Sequence, residues 1–206
     1  MKRFFSSTWF RCTAVLLSLV IVLGGGLAIL NDVLYVDPAE RTARAIKKIY
    51  GTEKEYTILL DVEDATRTDV SLKFTDETGK DIGEISKIYK IDNDMLFKST
   101  GSNGYKGGTI TLWIKVVTDQ NQNKFIDKIV LESFEKQTLM SKLDGSFYSK
   151  FYVDVTKAYK EGTLFNSTND NSSLVNPITG ATKSAYAACC AVNCVIEYLG
   201  GMTDEN

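Results

Sequence analysis

Four consecutive residues near the C-terminus, Thr179-Gly180-Ala181-Thr182, combine two hydroxyls with a glycine and an alanine, and a stretch rich in small residues follows. Glycine permits a positive φ and a close approach of the backbone, alanine adds little bulk, and threonine favours a helix start. The unpaired N–H groups and the positive end of a helix dipole attract an anion at such a position. The segment therefore predicts either a phosphate site or a capped helix start with alanines that serve helix propensity alone.

The composition restricts the chemistry that the side chains can perform. The chain of 206 residues contains no histidine, which excludes serine–histidine triads, histidine general bases and nearly all zinc sites. The net charge is −2, with acidic and basic residues interspersed, so we expect no nucleic-acid partner. Any chemistry is therefore expected to reside in a bound group.

An uncharged apolar run extends from Cys12 to Leu30, and as a helix its length approaches the hydrocarbon thickness of about 30 Å. Basic residues precede the run and acidic residues are among the first charges after it. The positive-inside rule thus predicts a cytoplasmic N-terminus over 1–11, a transmembrane anchor over 12–30 and an extracytoplasmic domain over 31–206, in the cell membrane. The alternative is a cleaved signal peptide ending near 26–28, although the run is longer than the usual apolar region of such peptides.

The remaining sequence predicts a mixed domain. Asp37 as N-cap, Pro38 at the first position and a stop at Gly51 indicate a short helix. Three runs rich in β-branched and aromatic residues between about 55 and 100 indicate strands, and alternation over 105–134 indicates a hairpin. Further apolar residues recur four positions apart and suggest helical turns against the sheet: Leu139, Leu143, Phe147 and Phe151.

A C-terminal helix is predicted from its apolar stripe. The stripe contains Ala185, Ala188, Val192, Val195, Ile196 and Leu199, and Gly200-Gly201 is expected to end the helix in a left-handed stop. Cys190, Cys194, Tyr186 and Glu197 fall on the opposite side. The expected fold class is α+β: an antiparallel sheet with flanking helices, preceded by a single N-terminal transmembrane helix.

The segment "NPITGATKS" resembles the C-terminal signature of the FMN-binding domain family found in the G subunit of Rnf electron-transport complexes and in the C subunit of the sodium-translocating NADH:quinone reductase. The stretches "GYKGGTITLWIKV" and "KIVLESF" look like the Gly-Tyr-x-Gly strand pair of that family. Two departures occur: Asn176 stands where the family usually has aspartate, and Gln137-Thr138-Leu139-Met140 replaces its Glu-Thr-Pro-Gly-Leu segment.

The resemblance implies that Thr182 carries FMN through a phosphoester formed by a flavin transferase. It further implies a set of cofactor-binding residues around that threonine: Thr179, Gly180, Ala181, Ser184, Asn176, Thr138 and Gln137. By the same resemblance the chain is an electron carrier in an Rnf-like or Nqr-like ion-translocating complex, with other membrane subunits as partners and no turnover by itself. The alternatives are a stand-alone surface flavoprotein that serves an external acceptor and a flavin-free anchored interaction module.

Three cysteines, Cys189, Cys190 and Cys194, occupy the last predicted helix. Positions 190 and 194 share a helix face but project in parallel, which is poor geometry for a disulfide. They are interpreted either as small buried apolar residues or as a redox or metal contact with a partner or the flavin.

Overall fold

The computed structural model describes residues 8–34, 37–76, 78–160 and 180–204. Backbone contacts divide the chain into two compact units, Met1–Arg41 and Thr42–Asn206. In the first unit, helix α1 covers Thr8–Leu34, and its large apolar side chains are exposed, as at Leu16 and Val20. The stretch Cys12–Leu27 is the apolar part of this helix within the residues described, and it is shorter than a full membrane span.

Helix α2 covers Pro38–Tyr50 and begins and ends as its sequence predicts. The Asp37 carboxylate accepts a 2.9 Å hydrogen bond from the Ala39 N–H, which caps the first turn. At the other end Gly51 has a φ of 79°, and its N–H donates to the Lys47 carbonyl at 2.9 Å. The predicted boundaries of this helix are therefore confirmed.

The second unit contains a six-stranded antiparallel sheet. Its strands are β1 (Thr57–Asp61), β2 (Leu72–Thr75), β3 (Asp81–Ile91), β4 (Asp94–Gly101), β5 (Ile110–Thr118) and β6 (Lys124–Phe134). The order is β1-β3-β4-β5-β6, and β2 also pairs with β3. The three early strand predictions and the β5–β6 hairpin are confirmed, whereas β4 was not predicted as a separate strand.

Short helical segments follow the sheet and precede the last helix. They comprise 3₁₀ turns at Met140–Lys142 and Ser149–Phe151 and helices α3 (Gly145–Tyr148) and α4 (Val155–Lys160). Leu143, Phe147 and Phe151 are buried, as their spacing predicts, but Leu139 is 49% exposed. The predicted helical turns are thus confirmed, with one of their four apolar positions facing solvent.

Helix α5 extends over Thr182–Asp204. The stretch Thr182–Met202 has the length and mean hydropathy, 1.3, of a membrane span, but 72% of it is buried inside the structure. The expected stop at Gly200-Gly201 is wrong, because the helix continues through both glycines. A Cβ on Gly200 would overlap the Tyr159 ring of α4, so this glycine allows two helices to approach rather than ending one.

The two faces of the sheet carry separate apolar clusters. On one face α5 packs on side chains such as Ile88, Phe97 and Ile114. On the other face Ala45, Ile46 and Ile49 of α2 pack on a cluster that includes Tyr89, Leu96 and Trp113. Neighbouring strand residues thus serve opposite faces, as strand geometry requires. The observed fold class is α+β with an antiparallel sheet and helices.

Candidate functional site

The start of α5 places its first residues in two distinct environments. Gly180 precedes the helix with a φ of 83°, a conformation that glycine adopts without strain. Thr182 and Lys183 are exposed, whereas Ala181 and Ser184 are 3% and 1% exposed. The buried pair holds the first turn in the domain, and the threonine stands at its surface.

A small pocket of about 150 Å³ lies beside Thr182. Three segments that are far apart in sequence form its walls: the 3₁₀ turn Tyr105–Gly107, the chain after β6 and the start of α5. The lining residues are Tyr105, Thr138, Gly180, Ala181, Thr182, Lys183 and Ser184. The fold therefore brings the described part of the motif, residues 180–184, together with Tyr105 of the Gly-Tyr-x-Gly match and with Thr138 of the segment that departs from the family pattern.

The amide of Gln137 joins these three segments. Its Oε1 accepts a 3.0 Å hydrogen bond from the backbone N–H of Tyr105 and a 2.8 Å bond from the Ser184 hydroxyl. Its Nε2 donates to the Glu135 carbonyl at 2.9 Å. Gln137 is only 9% exposed and does not line the pocket. The residue supports the pocket walls from behind.

Two glycines make room for this amide. The 104–108 turn is closed by a 2.9 Å hydrogen bond from the Gly104 N–H to the Gly108 carbonyl. A Cβ on Gly104 would overlap the Gln137 side chain, and one on Gly108 would lie 2.6 Å from its Nε2. The Gly-Tyr-x-Gly stretch therefore forms a turn, and its Tyr105 also lines the pocket.

The segment 139–142 contributes an apolar and a cationic side chain near Gly180. A Cβ built on that glycine would lie 3.3 Å from Lys142 Nζ and 3.4 Å from Leu139 Cδ1. Leu139 has a φ of 57°, a left-handed conformation that is uncommon for a residue with a side chain. Lys142 and Lys183 both add positive charge to the N-terminal end of α5, where the helix dipole is already positive.

The structure therefore brings together six of the residues that the sequence analysis assigned to cofactor binding. They are Gln137, Thr138, Gly180, Ala181, Thr182 and Ser184. The other two, Thr179 and Asn176, lie outside the described residues. Sequence reasoning missed Tyr105 as a pocket wall and Lys142 as a nearby cation. No sequence signal indicates Lys142, because its approach to Gly180 depends on the fold. Tyr105 could have been predicted from the Gly-Tyr-x-Gly match.

The three cysteines of α5 are buried in the core. Cys189, Cys190 and Cys194 are at most 1% exposed, and none of the cysteines in the described residues forms a disulfide. Burial raises the pKa of the Cys190 thiol to about 11 and raises the pKa of the other two as well. Since the thiolate is the reactive and metal-binding form, this environment favours the interpretation as small buried apolar residues.

A buried ionic cluster lies on the α2 face of the sheet. Lys87 is 1% exposed, and its Nζ lies 3.2 Å from an Asp61 carboxylate oxygen and 3.1 Å from a Glu63 oxygen. The Tyr89 hydroxyl also donates to Asp61, and Lys98 pairs with Glu63. The opposite charges are paired, as buried charges require. The cluster therefore has a structural role and is not a candidate functional site.

A larger, open hollow of about 360 Å³ lies between the β3–β4 and β5–β6 turns. Its walls include Asp94 and Asp119. The Asp119 carboxylate accepts backbone bonds from Asn121 and Asn123, each at 2.8 Å, and Asp94 pairs with Lys115 at 3.4 Å. These carboxylates stabilise the turns and the sheet. The smaller pocket beside Thr182 is therefore the better candidate site, because an exposed threonine hydroxyl and Lys183 lie there at a helix N-terminus and Lys142 approaches the adjacent Gly180.

Comparison of the chain with protein-family models, with curated proteins and with solved structures finds no match. The resemblance to the FMN-binding domain family thus stands on its motifs.

Proposed function

We propose that the chain is a membrane-anchored flavoprotein electron carrier with FMN attached to Thr182 through a phosphoester, acting in an Rnf-like or Nqr-like ion-translocating complex. One observation carries the proposal. Thr182 is exposed in a pocket whose walls include Tyr105 of the Gly-Tyr-x-Gly match, although the two matching segments are far apart in sequence. The third wall, Thr138, belongs to the segment in which the chain departs from the family pattern.

The residues present fit the phosphate end of FMN. A pocket of about 150 Å³ accommodates a phosphate group, whereas a three-ring system needs more space. The N-terminus of α5 offers the positive end of the helix dipole. Lys183 lies in the pocket wall, and Lys142 approaches Gly180, so cationic side chains offset the charge of a phosphodiester.

The residues in and beside the pocket have distinct roles in this proposal. The Thr182 oxygen forms the ester bond when the flavin transferase cleaves the pyrophosphate bond of a flavin dinucleotide; the hydroxyl loses its proton and a nucleoside monophosphate is the leaving group. Gly180 lets the backbone reach the phosphate without a side chain in between. Tyr105 and Leu139 supply exposed apolar surface, 38% and 49% accessible, on which a flat ring can lie. Bound FMN supplies the electron transfer, and the protein supplies its position and surroundings.

The anchor in this proposal is α1. Its exposed apolar side chains need a non-aqueous environment, because such a surface in water is unfavourable. Lys2, Arg3 and Arg11 precede its apolar part, and Asp32 follows it, which supports a cytoplasmic N-terminus and an extracytoplasmic domain. A covalent link suits that location, since a dissociated cofactor would not rebind at negligible free concentration. The other membrane subunits of the complex would then exchange electrons with the domain.

The test is the intact mass of the full chain, purified in detergent under denaturing conditions after co-expression with a flavin transferase. We expect a mass increase equal to one FMN ester and a yellow colour that survives denaturation. Thr182→Val, which keeps the side-chain shape but lacks the hydroxyl, should lose both. Thr138→Val is the matched control, because it removes a second pocket threonine hydroxyl and should retain the adduct.

Two results would count against the proposal. An unmodified, colourless wild-type chain would overturn the flavin assignment. An adduct that persists in Thr182→Val would place the ester on another residue.

A further inference from the structure

We infer that the amide of Gln137 is the positioning group of this site, which fixes the start of α5, and Thr182 with it, against the Tyr105 turn. The inference rests on the proposed function only for the role of Thr182 as the point of attachment. The contacts of the amide are the same whatever Thr182 carries.

Gln137 acts through other residues and makes no contact with the pocket itself. The carbonyl oxygen of a glutamine side chain has two lone pairs, and Tyr105 N–H and the Ser184 hydroxyl occupy both. Its Nε2 is bonded to the Glu135 carbonyl. Both acceptor sites of the side chain are occupied and only 9% of its surface is exposed. The side chain therefore has no free acceptor site and little accessible surface with which to bind a ligand. This revises the expectation that Gln137 binds the cofactor directly.

The partners of the amide are themselves pocket walls. Tyr105 and Ser184 both line the pocket, and the Ser184 hydroxyl also approaches the Thr138 carbonyl at 3.3 Å. Ser184 belongs to the same first helical turn as Thr182. A shift of the amide therefore moves the two sides of the pocket relative to each other. Small displacements of this kind reduce the rate of a reaction that needs aligned groups.

The neutral amide, rather than a carboxylate, matches these surroundings. The second oxygen of a glutamate carboxylate at position 137 would face the Glu135 carbonyl, which is also an acceptor. The repulsion would move the carboxylate away from the Tyr105 N–H and the Ser184 hydroxyl. The departure of this chain from the family's glutamate thus agrees with the contact to Glu135. Protonation of such a glutamate would restore a donor toward that carbonyl.

The first readout is hydrogen exchange of the Tyr105 amide in the full chain without flavin, purified in detergent. Gln137→Met keeps the length of the side chain but removes its hydrogen bonds, and we expect the protection factor of Tyr105 N–H to fall about tenfold. Gln120→Met is the matched control, because Gln120 is exposed in the β5–β6 turn, and Tyr105 should exchange as in the wild type.

Gln137→Glu provides a readout that a purely space-filling role would not produce. Its Tyr105 protection should approach the wild-type value as the pH falls and the carboxyl becomes protonated, and should decrease as the pH rises. The wild type should show no such dependence. This variant also keeps the test valid if Gln137→Met does not fold. Unchanged Tyr105 protection in Gln137→Met, or a pH-independent Gln137→Glu, would overturn the inference.

The second readout is the rate of FMN attachment by a flavin transferase, followed by intact mass. We expect attachment to Gln137→Met to be at least about tenfold slower than to the wild type and to Gln120→Met. Equal rates for all three would refute the positioning role and leave the proposed function intact. If the wild type acquires no FMN, the proposed function fails, and Tyr105 exchange alone decides whether the amide holds the two segments together.

Discussion

The hydroxyl of Ser99 on β4 donates a 2.7 Å hydrogen bond to the backbone carbonyl of Ala191 on α5. Both residues are completely buried, so a strand side chain bonds directly to the backbone in the middle of a helix. Gly101, two residues further along β4 on the same face, lies against the backbone of Ala187. The helix and the strand therefore approach too closely for a side chain at position 101.

The first prediction concerns this close approach. A Cβ at position 101 would overlap the Ala187 carbonyl oxygen and lie 2.5 Å from the Ala191 nitrogen. Gly101→Ala should therefore destabilise the domain by about 1–3 kcal/mol, measured by urea unfolding of the full chain in detergent. Ser99→Ala, which removes one hydrogen bond but adds no atoms, should have a smaller effect of about 1 kcal/mol. A wild-type unfolding midpoint for Gly101→Ala would contradict the observed packing.

The second prediction separates backbone strain from the function of Gly180. Gly180 and Gly79 have φ values of 83° and 80°, so alanine at either position should cost about 1–2 kcal/mol in folding free energy. At position 180 the new methyl would also lie near Lys142 and Leu139, two residues before Thr182, the proposed attachment residue. Gly180→Ala should therefore reduce FMN loading, measured by intact mass, whereas Gly79→Ala should not. Equal loading of both variants would argue against a close backbone approach at Gly180.

The third prediction uses two adjacent glycines within α5. A Cβ on Gly200 would overlap the Tyr159 ring, but one on Gly201 has no atom within 4 Å. Gly200→Ala should therefore destabilise the domain by about 1–3 kcal/mol. Gly201→Ala should stabilise it by about 0.5–1 kcal/mol, because alanine is the better helix former. Thermal unfolding with circular dichroism measures both, and a stabilising Gly200→Ala would show that α4 and α5 do not approach here.

The fourth prediction concerns pH. Partial burial opposes ionisation of Glu63, but hydrogen bonds and charges from Lys98 and Lys87 outweigh it and hold the pKa of this carboxyl below its ordinary value. The carboxylate thus stabilises the fold above its unfolded-state pKa of about 4.3. That contribution is lost as the pH falls through the lower folded-state value.

Glu63→Gln should accordingly be less stable than the wild type near pH 7, by up to about 1 kcal/mol because the pair is partly exposed. The difference should disappear at acidic pH. Denaturant unfolding at several pH values measures it, and Glu55→Gln on the exposed surface serves as the control. A difference that does not change with pH would mean that Glu63 acts through packing and not through its charge.

The fifth prediction concerns the thiols of α5. Cys189, Cys190 and Cys194 are buried, and burial raises the pKa of each, so little thiolate is present at neutral pH. Iodoacetamide should leave all three unmodified in the native chain and alkylate them after unfolding. Peptide mass spectrometry identifies which of the three cysteines are alkylated. Rapid native alkylation of Cys190 or Cys194 would support the redox or partner-contact interpretation instead.

Local signals in the sequence predicted much of the architecture. Asp37, Pro38 and Gly51 define α2 because capping and breaking act over a few residues. The alternation of apolar and polar residues predicts the β5–β6 hairpin because this pattern is also local. The bulge in β3 could not be predicted from the sequence. The pairing register of β3 with β4 shifts between Ile85 and Lys87, and this shift places Ile85 and Ile88 on one face. Strand patterns assume a strict period of two, and a bulge interrupts that period.

The candidate site, like the fold, was predicted only where local sequence determines the structure. The local motif Gly180–Thr182 indicated a helix start able to hold an anion, and a helix does begin there. The support behind it was not predictable, because the contacts of Gln137 with Tyr105 and Ser184 depend on the packing of three distant segments. The apolar stripe describes a helix covered on one side, whereas α5 is covered nearly all round. The interpretation of Cys190 and Cys194 as small buried apolar residues agrees with their burial, although the stripe itself did not include them.

Helix α5 follows all six strands of the sheet in the order of the chain. The sheet face that buries it is complete in the chain before Thr182 is synthesised, so the helix can dock as soon as it emerges. Under the proposed function, a chain truncated anywhere before α5 lacks both this docking partner and the attachment residue. Cofactor loading would then occur only on chains in which the sheet and α5 have both formed.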